Sequence, residues 1–321
     1  MSAFPLLPRY SKMIILGQQF NNMPYIVAIV AGLSVGDPFL SLQELKGFSV
    51  DKDDEDEDAK EDVESEVWRA KRKAFEESRS QFSALDPGNE ILALLCAICA
   101  YEYGGATDSF CQEKFLRLKA MKDIRKLRIQ ITNIVNNQLA GIVAPVEFTA
   151  KLAPPSAVQI RTLKQIVAAA YLDHIAIRSD LLGSEAGKKT SNILRAEYCP
   201  LISLAPSTAS EEKKNAFIHP SSFLARTASP PEYIVYSDLR ESQTGRLRLL
   251  PLTTVAARDI EPLAKGTPFI QYSKPLNYPP PRFFAENGVM KWEVYVVPRF
   301  GIQGRGWELP SVKHVENVVK N

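Results

Sequence analysis

The chain has 321 residues, 45% of them hydrophobic and 9% aromatic, which is enough apolar material to fold and enough length for two or three domains of roughly 100 to 200 residues each. That composition excludes a wholly disordered chain. No apolar run approaches the roughly 20 residues that cross a bilayer, and the opening MSAFPLLPRYSK lacks the features of a secretory signal, so a soluble intracellular protein is expected. The formal charge of +2 hides a segregation: residues 51–66 hold eleven acids and two lysines, a local −9 that leaves +11 on the remainder. Such a surplus either meets phosphate or keeps the surface soluble.

In chain order, residues 4–16 carry two prolines and then a short apolar run, and they read as the tail of a domain. Residues 25–35 (YIVAIVAGLSV) are apolar on every side, and Gly36-Asp37-Pro38 ends them, which predicts a fully buried helix. The acidic stretch that follows repels itself and predicts a disordered insertion. Beyond it, Val63, Val67, Ala70, Ala74 and Ser78 are spaced as the stripe of an amphipathic helix, with Trp68 and Phe75 beside them. Asp86-Pro87-Gly88 offers an N-cap and first-turn proline to a helix with an apolar body at 91–98. A long helix is expected over about 108–136. It places Met121, Ile124, Leu127, Ile131, Ile134 and Val135 on one face and Lys119, Lys122 and Lys126 as a stripe on another. Ser156 and Gln159 have capping-box spacing and open a helix running to about Ala170.

From there the pattern turns extended. HIAIR (174–178), EYIVYSDL (232–239), RLRLLPL (246–252) and WEVYVV (292–297) are short, β-branched or aromatic, and separated by proline, glycine and serine. Several short strands in this span predict a small barrel, with the OB type leading because it commonly binds single-stranded nucleic acid.

Chemistry is sparse. Cys96 and Cys99 form a C-x-x-C inside a strongly apolar helix with no second pair to complete a zinc site, so they read as core residues. With Cys111 and Cys199 they give no disulfide framework. Residues 183–190 (GSEAGKKT) resemble a phosphate loop but place three residues between the glycines where four are needed; they read as a basic loop in which Lys188 and Lys189 are candidates for an RNA backbone. His219-Pro220-Ser221-Ser222 reads as a turn rather than a nucleophile site. Arg240, Arg246 and Arg248 flank an extended segment near Tyr233 and Tyr236, a grouping that suits either a single strand of RNA or, for the tyrosines, a barrel core.

The stretches FPLLPRYSKMI (4–14) and PYIVAIVAGLSVGDPF (24–39) resemble the winged-helix exit and the start of the ratchet domain of DEAH-box RNA helicases. FCQEKFLRLKAMKDIRKLRIQ (110–130) is similar to the family's long ratchet helix, FIHPSSFL (217–224) to its OB-fold turn, and PEYIVYSDL (231–239) to the strand after it. The acidic insertion and the tail from 278 to 301 resemble the ribosome-assembly branch. The resemblance implies an α+β multidomain chain: the end of a winged-helix domain (1–22), a helical ratchet-like domain (23–155) with a disordered acidic insertion at about 47–62, an OB-fold domain (156–276) and a C-terminal extension (277–321). It implies no catalytic site, metal or cofactor here, with ATP and magnesium belonging to motor domains elsewhere in an ATP-dependent helicase.

The implied partners are those motor domains, a protein activator, and single-stranded RNA, namely precursor ribosomal RNA and small nucleolar RNA, in the nucleus and nucleolus and away from any membrane. Lys119, Lys122 and Lys126, with loops around Lys188, Arg226 and Arg246, become the RNA-contact candidates. The competing reading is a protein-binding adaptor without direct RNA contact. A phosphate-binding surface weakens steeply with salt and an apolar protein interface does not.

Overall fold

The structure, a computed structural model, describes residues 6–47, 57–138, 145, 147–182, 189–202, 215–242, 245–286, 289–302 and 306–317. The chain divides into two compact units, one of residues 1–166 with 220–227, the other of 167–219 and 228–321. The first boundary therefore falls inside a helix, eleven residues beyond the 155/156 division drawn from the sequence.

The first unit is helical. Its elements are α1 (Pro8–Gln19), α2 (Met23–Val35), α3 (Leu42–Gly47), α4 (Glu57–Phe82), α5 (Glu90–Tyr103), α6 (Asp108–Glu113), α7 (Leu118–Gln138) and the start of α8 (Ala157–Ala170). Helix α2 has the expected all-round burial, from Ile26 to Gly32, because it packs against α1, α5 and α7 together. The approach to α5 is close enough that a Cβ on Gly32 would come within 2.7 Å of Leu94 Cδ2.

Three sequence expectations are corrected by this unit. The long helix of 108–136 is two helices, α6 and α7. The chain breaks at residues 114–117, where Phe115 takes φ 55° and Leu116 forms a β-bridge with Phe39. The Arg117 guanidinium holds that break by donating to the carbonyls of Asp37 and Phe39 and, at 2.7 and 2.9 Å, to both oxygens of Glu44.

The cap of α5 is Asn89, whose side chain accepts from the Leu92 amide at 3.3 Å; Asp86 instead receives Asn89 Nδ2 and Lys164 Nζ. On α4 the buried side is Phe75, Ser78, Arg79 and Phe82, while Val67 is 64% exposed and Ala70 and Ala74 face solvent. The stripe is rotated by one position because Arg79, a residue type that ordinarily faces solvent, is buried among aromatic rings. Helix α4 begins at Glu57, and residues 48–56 of the acidic segment lie outside the described residues.

The second unit holds the rest of α8, a closed five-stranded barrel and the C-terminal extension. Helix α8 opens as its capping box requires, Ser156 N donating to Gln159 Oε1 at 2.9 Å and Gln159 N to Ser156 Oγ at 3.3 Å. The barrel strands are β1 (Ile175–Arg178), β2 (Glu197–Pro200), β3 (Ala216–Ile218), β4 (Tyr233–Glu241) and β5 (Leu247–Thr254). They close in the order β1-β2-β3-β5-β4, all antiparallel except the β3–β5 pair. Ile175, Ala216, Ile218, Ile234 and Leu249 are fully buried, so alternate residues fill the barrel.

Helix α9 (Ala257–Ala264) follows, then β6 (Ile270–Tyr272), β7 (Arg282–Glu286), β8 (Val289–Val296), β9 (Pro298–Phe300), β10 (Trp307–Glu308) and β11 (Val312–Asn317). These last strands make two three-stranded sheets, β10-β9-β6 and β11-β8-β7. Trp307 packs its ring 6.2 Å from Tyr233 of the barrel and 5.5 Å from Phe300, so the extension shares the barrel's core within this unit.

Candidate nucleic-acid interface

Register sets one row of side chains across four strands of the barrel. Glu197 of β2 stands opposite Phe217 of β3, Phe217 opposite Arg248 of β5, and Arg248 opposite Arg240 of β4. Their strand neighbours Tyr198, Ala216, Leu247, Leu249 and Leu239 are buried, so alternation turns this row outward. The Arg248 guanidinium lies 5.7 Å from the Phe217 ring centre, and Arg246, from the turn before β5, reaches the same ring at 5.5 Å. Arg248 also donates to the Ile218 carbonyl at 3.3 Å, which anchors it. Arg240 is exposed with its Nε 3.9 Å from Asp238, too long and too wet to neutralise it. Glu197 is held at 2.7 Å by Asn215. The result is an aromatic plane with two guanidiniums over it and a third arginine alongside, a surface suited to phosphates and stacked bases.

The remaining candidates distribute as follows. On α7, Lys119 and Lys126 are exposed on the side opposite Met121, Ile124 and Ile131; Lys122 shares their stripe but sits 3.0 Å from Asp108. These lysines belong to the first unit and the arginine row to the second. Lys189 is exposed, and Lys188 lies outside the described residues. Arg226 belongs to the first unit, paired with Glu76 and 5.8 Å from the Phe75 ring. Tyr233 and Tyr236 are buried, and burial pushes the Tyr233 phenol up to about 12, so of their two readings the core one holds.

Sequence reasoning misses Phe217, because its neighbours Arg246 and Arg248 are some thirty positions away and only the parallel β3–β5 pairing joins them. Burial pushes the Cys96 and Cys99 thiols up to about 11, so neither supplies a thiolate. Ser222 donates to Glu90 at 2.5 Å, which fixes it as part of a turn. Among the described residues no three His, Cys, Asp or Glu side chains group as a metal site, and no helix is long and apolar enough to cross a membrane.

A helical unit followed in sequence by a closed five-stranded barrel with an arginine-aromatic outer face defines a class. The family descriptions that match are the ratchet-like helicase-associated domain over residues 7–94 and the oligonucleotide/oligosaccharide-binding fold over residues 163–266. The chain belongs to the DEAH-box RNA helicases, as their C-terminal region. Three relatives are similar along nearly all of it. The Probable ATP-dependent RNA helicase DHR1 of Saccharomyces cerevisiae is 33% identical over 94% of this chain and 25% of its own length. The Probable ATP-dependent RNA helicase DHX37 of Homo sapiens is 31% identical over 98% of this chain and 24% of its own. The Probable ATP-dependent RNA helicase kurz of Drosophila melanogaster is 31% identical over 96% and 24%. The chain thus spans about a quarter of the length of the curated relatives it matches.

Proposed function

We propose that this chain is the RNA-gripping and regulatory part of an ATP-dependent RNA helicase that remodels precursor ribosomal RNA and its pairing with small nucleolar RNA during small-subunit assembly. The observation that carries the RNA reading is the row of Phe217, Arg248 and Arg240 on the outer face of the barrel, with Arg246 over the same ring. A guanidinium fork matches phosphate bidentately and stacks on bases, so two of them over one aromatic with a third alongside hold a single strand with little sequence preference.

Hydrolysis of ATP with magnesium, directed by a protein activator, is assigned to motor domains of a longer protein. Lys119, Lys122 and Lys126 extend the grip over the ratchet-like unit, and Lys188, Lys189 and Arg226 rank behind them. The assembly role and a nucleolar location rest on the resemblance of the tail and acidic insertion to that branch of the family.

The test is the salt dependence of binding to a fluorescent single-stranded RNA. Removing one cation that neutralises a phosphate lowers the slope of log affinity against log salt by about 0.7, so replacing Arg240, Arg246 and Arg248 together with alanine lowers it by up to about 2. The lysine triple variant of α7 lowers it similarly where all three touch phosphate. Unchanged affinity and slope in both variants would refute the reading. The alternative, a protein-binding adaptor, requires binding to a protein partner that salt barely weakens.

A further inference from the structure

The outward row across the barrel holds one group that a surface for phosphate alone has no use for. Glu197 of β2 stands beside Phe217, on the side away from Arg248, and a carboxylate repels a phosphate backbone. It is held by an amide rather than by a cation. Asn215 Nδ2 donates to Glu197 Oε2 at 2.7 Å, and Asn215 lies two positions before Phe217, so this bond draws the carboxylate towards the strand that carries the ring. An ionised carboxylate has about four lone-pair sites, so one such bond fixes its direction and leaves both oxygens able to accept again.

On the other side of Phe217, Arg248 leans over the ring at 5.7 Å from its centre and gives one N–H to the Ile218 carbonyl at 3.3 Å. A guanidinium has several further donors, so the fork keeps some for a ligand. Adjacent strands lie about 4.8 Å apart, which puts the backbones of Glu197 and Arg248 about 10 Å apart with the aromatic between them. All three side chains are half-buried, where charged hydrogen bonds are screened less than on an open surface.

Acceptors on one side of an aromatic and donors on the other select a base by its edges. A carboxylate binds bidentately only to two neighbouring N–H groups, and among the four RNA bases guanine alone has them, at N1 and N2. Next along the same ring system guanine presents O6 and N7, the acceptor pair that an arginine fork matches. Uracil, cytosine and adenine each offer a single donor group, so the carboxylate meets only one partner on them.

We propose that Glu197, Phe217 and Arg248 form a guanine subsite, one base-reading position in a grip that otherwise tolerates any sequence. This rests on the reading of the barrel face as an RNA-binding surface and names the base that one part of it prefers.

The test uses the full chain and two labelled RNA strands of about 12 nucleotides, a length that one barrel covers: oligouridine, and the same strand with one guanosine in the middle. The wild type binds the guanosine strand about tenfold more tightly, near the low end for one good bidentate base contact, and the ratio holds as salt rises because no further phosphate is engaged. Glu197→Gln keeps the size and the bond from Asn215 but puts an NH2 where an acceptor stood, and it brings the ratio to about one. Inosine, which lacks the N2 amino group, and 7-deazaguanosine, which lacks N7, each lower the ratio about threefold on the wild-type protein, a readout that needs no variant to fold. Equal binding of the two strands by the wild type, or a preference that survives Glu197→Gln, inosine or 7-deazaguanosine undiminished, would overturn the subsite while the salt-dependent grip of the arginines stands. A wild type that binds neither strand, or binds both without salt dependence, would instead remove the barrel reading and this inference with it.

Discussion

Glu90 opens α5, and burial pushes its carboxyl up to about 7 against hydrogen bonds from Ser222 Oγ and the Leu224 and Phe223 amides that pull it down. An acid whose folded pKa is raised holds its proton more tightly in the fold than in the unfolded chain. It therefore costs nothing well below its ordinary value of 4.5, destabilises progressively as pH rises from 4.5 to about 7, and costs a constant amount above that. The full cost is about 3 kcal/mol at most. Glu90→Gln keeps an acceptor for Ser222 and Leu224 and removes the ionisation. Its melting temperature should therefore gain on the wild type as pH rises through that window, and parallel curves from pH 4 to 8 would exclude this account.

Arg79 is the other residue on which the helical unit depends. Its guanidinium lies 4.5, 4.9 and 5.0 Å from the rings of Phe39, Phe223 and Phe75 and donates to the Leu40 carbonyl at 2.7 Å. Burial lowers its pKa only to about 10, so it stays charged. Arg79→Ala leaves a buried carbonyl unpaired and a cavity among three rings, and should cost about 2 to 4 kcal/mol in urea unfolding. Arg79→Met, which refills the cavity, should recover part of that stability.

At the scale of elements, the helices that read correctly are those whose reasons are local. The box at Ser156 and Gln159 needs only residues within one turn of each other, and Ser156→Ala should cost about 1 kcal/mol of stability without moving the rest of α8. A melting temperature indifferent to that change would mean the cap is idle. The break between α6 and α7 has no such local cause, since the apolar spacing runs on through residues 114–117. It is made by Arg117 reaching back to Asp37, Phe39 and Glu44, some eighty positions away. Glu44 in turn is held down to about 2, first by the Ser41 amide and then by Arg117, so this pair persists throughout the ordinary pH range. Strands β1, β4, β5 and β8 are visible as short β-branched runs. β2, β3, β9 and β10 have two to four residues each, too few for any period to show.

For the whole molecule, the segregated charge and the missing nucleotide signatures point the same way. A chain whose only near-match to a phosphate loop is one residue short should bind no ATP by itself, and titration with a fluorescent ATP analogue should show no saturation at micromolar concentrations. Saturable binding there would require a nucleotide site of a different kind.

What the amino-acid order determined by itself was the class of architecture: a buried helical region, a strand-rich region with OB-type spacing, a surplus of +11 outside one acidic run, and the motifs of a helicase family. Those are properties of composition and short-range period, which survive without knowing any long-range contact. The tertiary structure decided which charges are free to meet a ligand. Arg226 and Lys122 face carboxylates, while Arg246 and Arg248 lie over Phe217 and Arg240 stands beside Arg248. That gathering depends on strand register, in which a shift of one residue would turn the row into the barrel. Register is set by how the whole barrel closes, and no short stretch of sequence contains it.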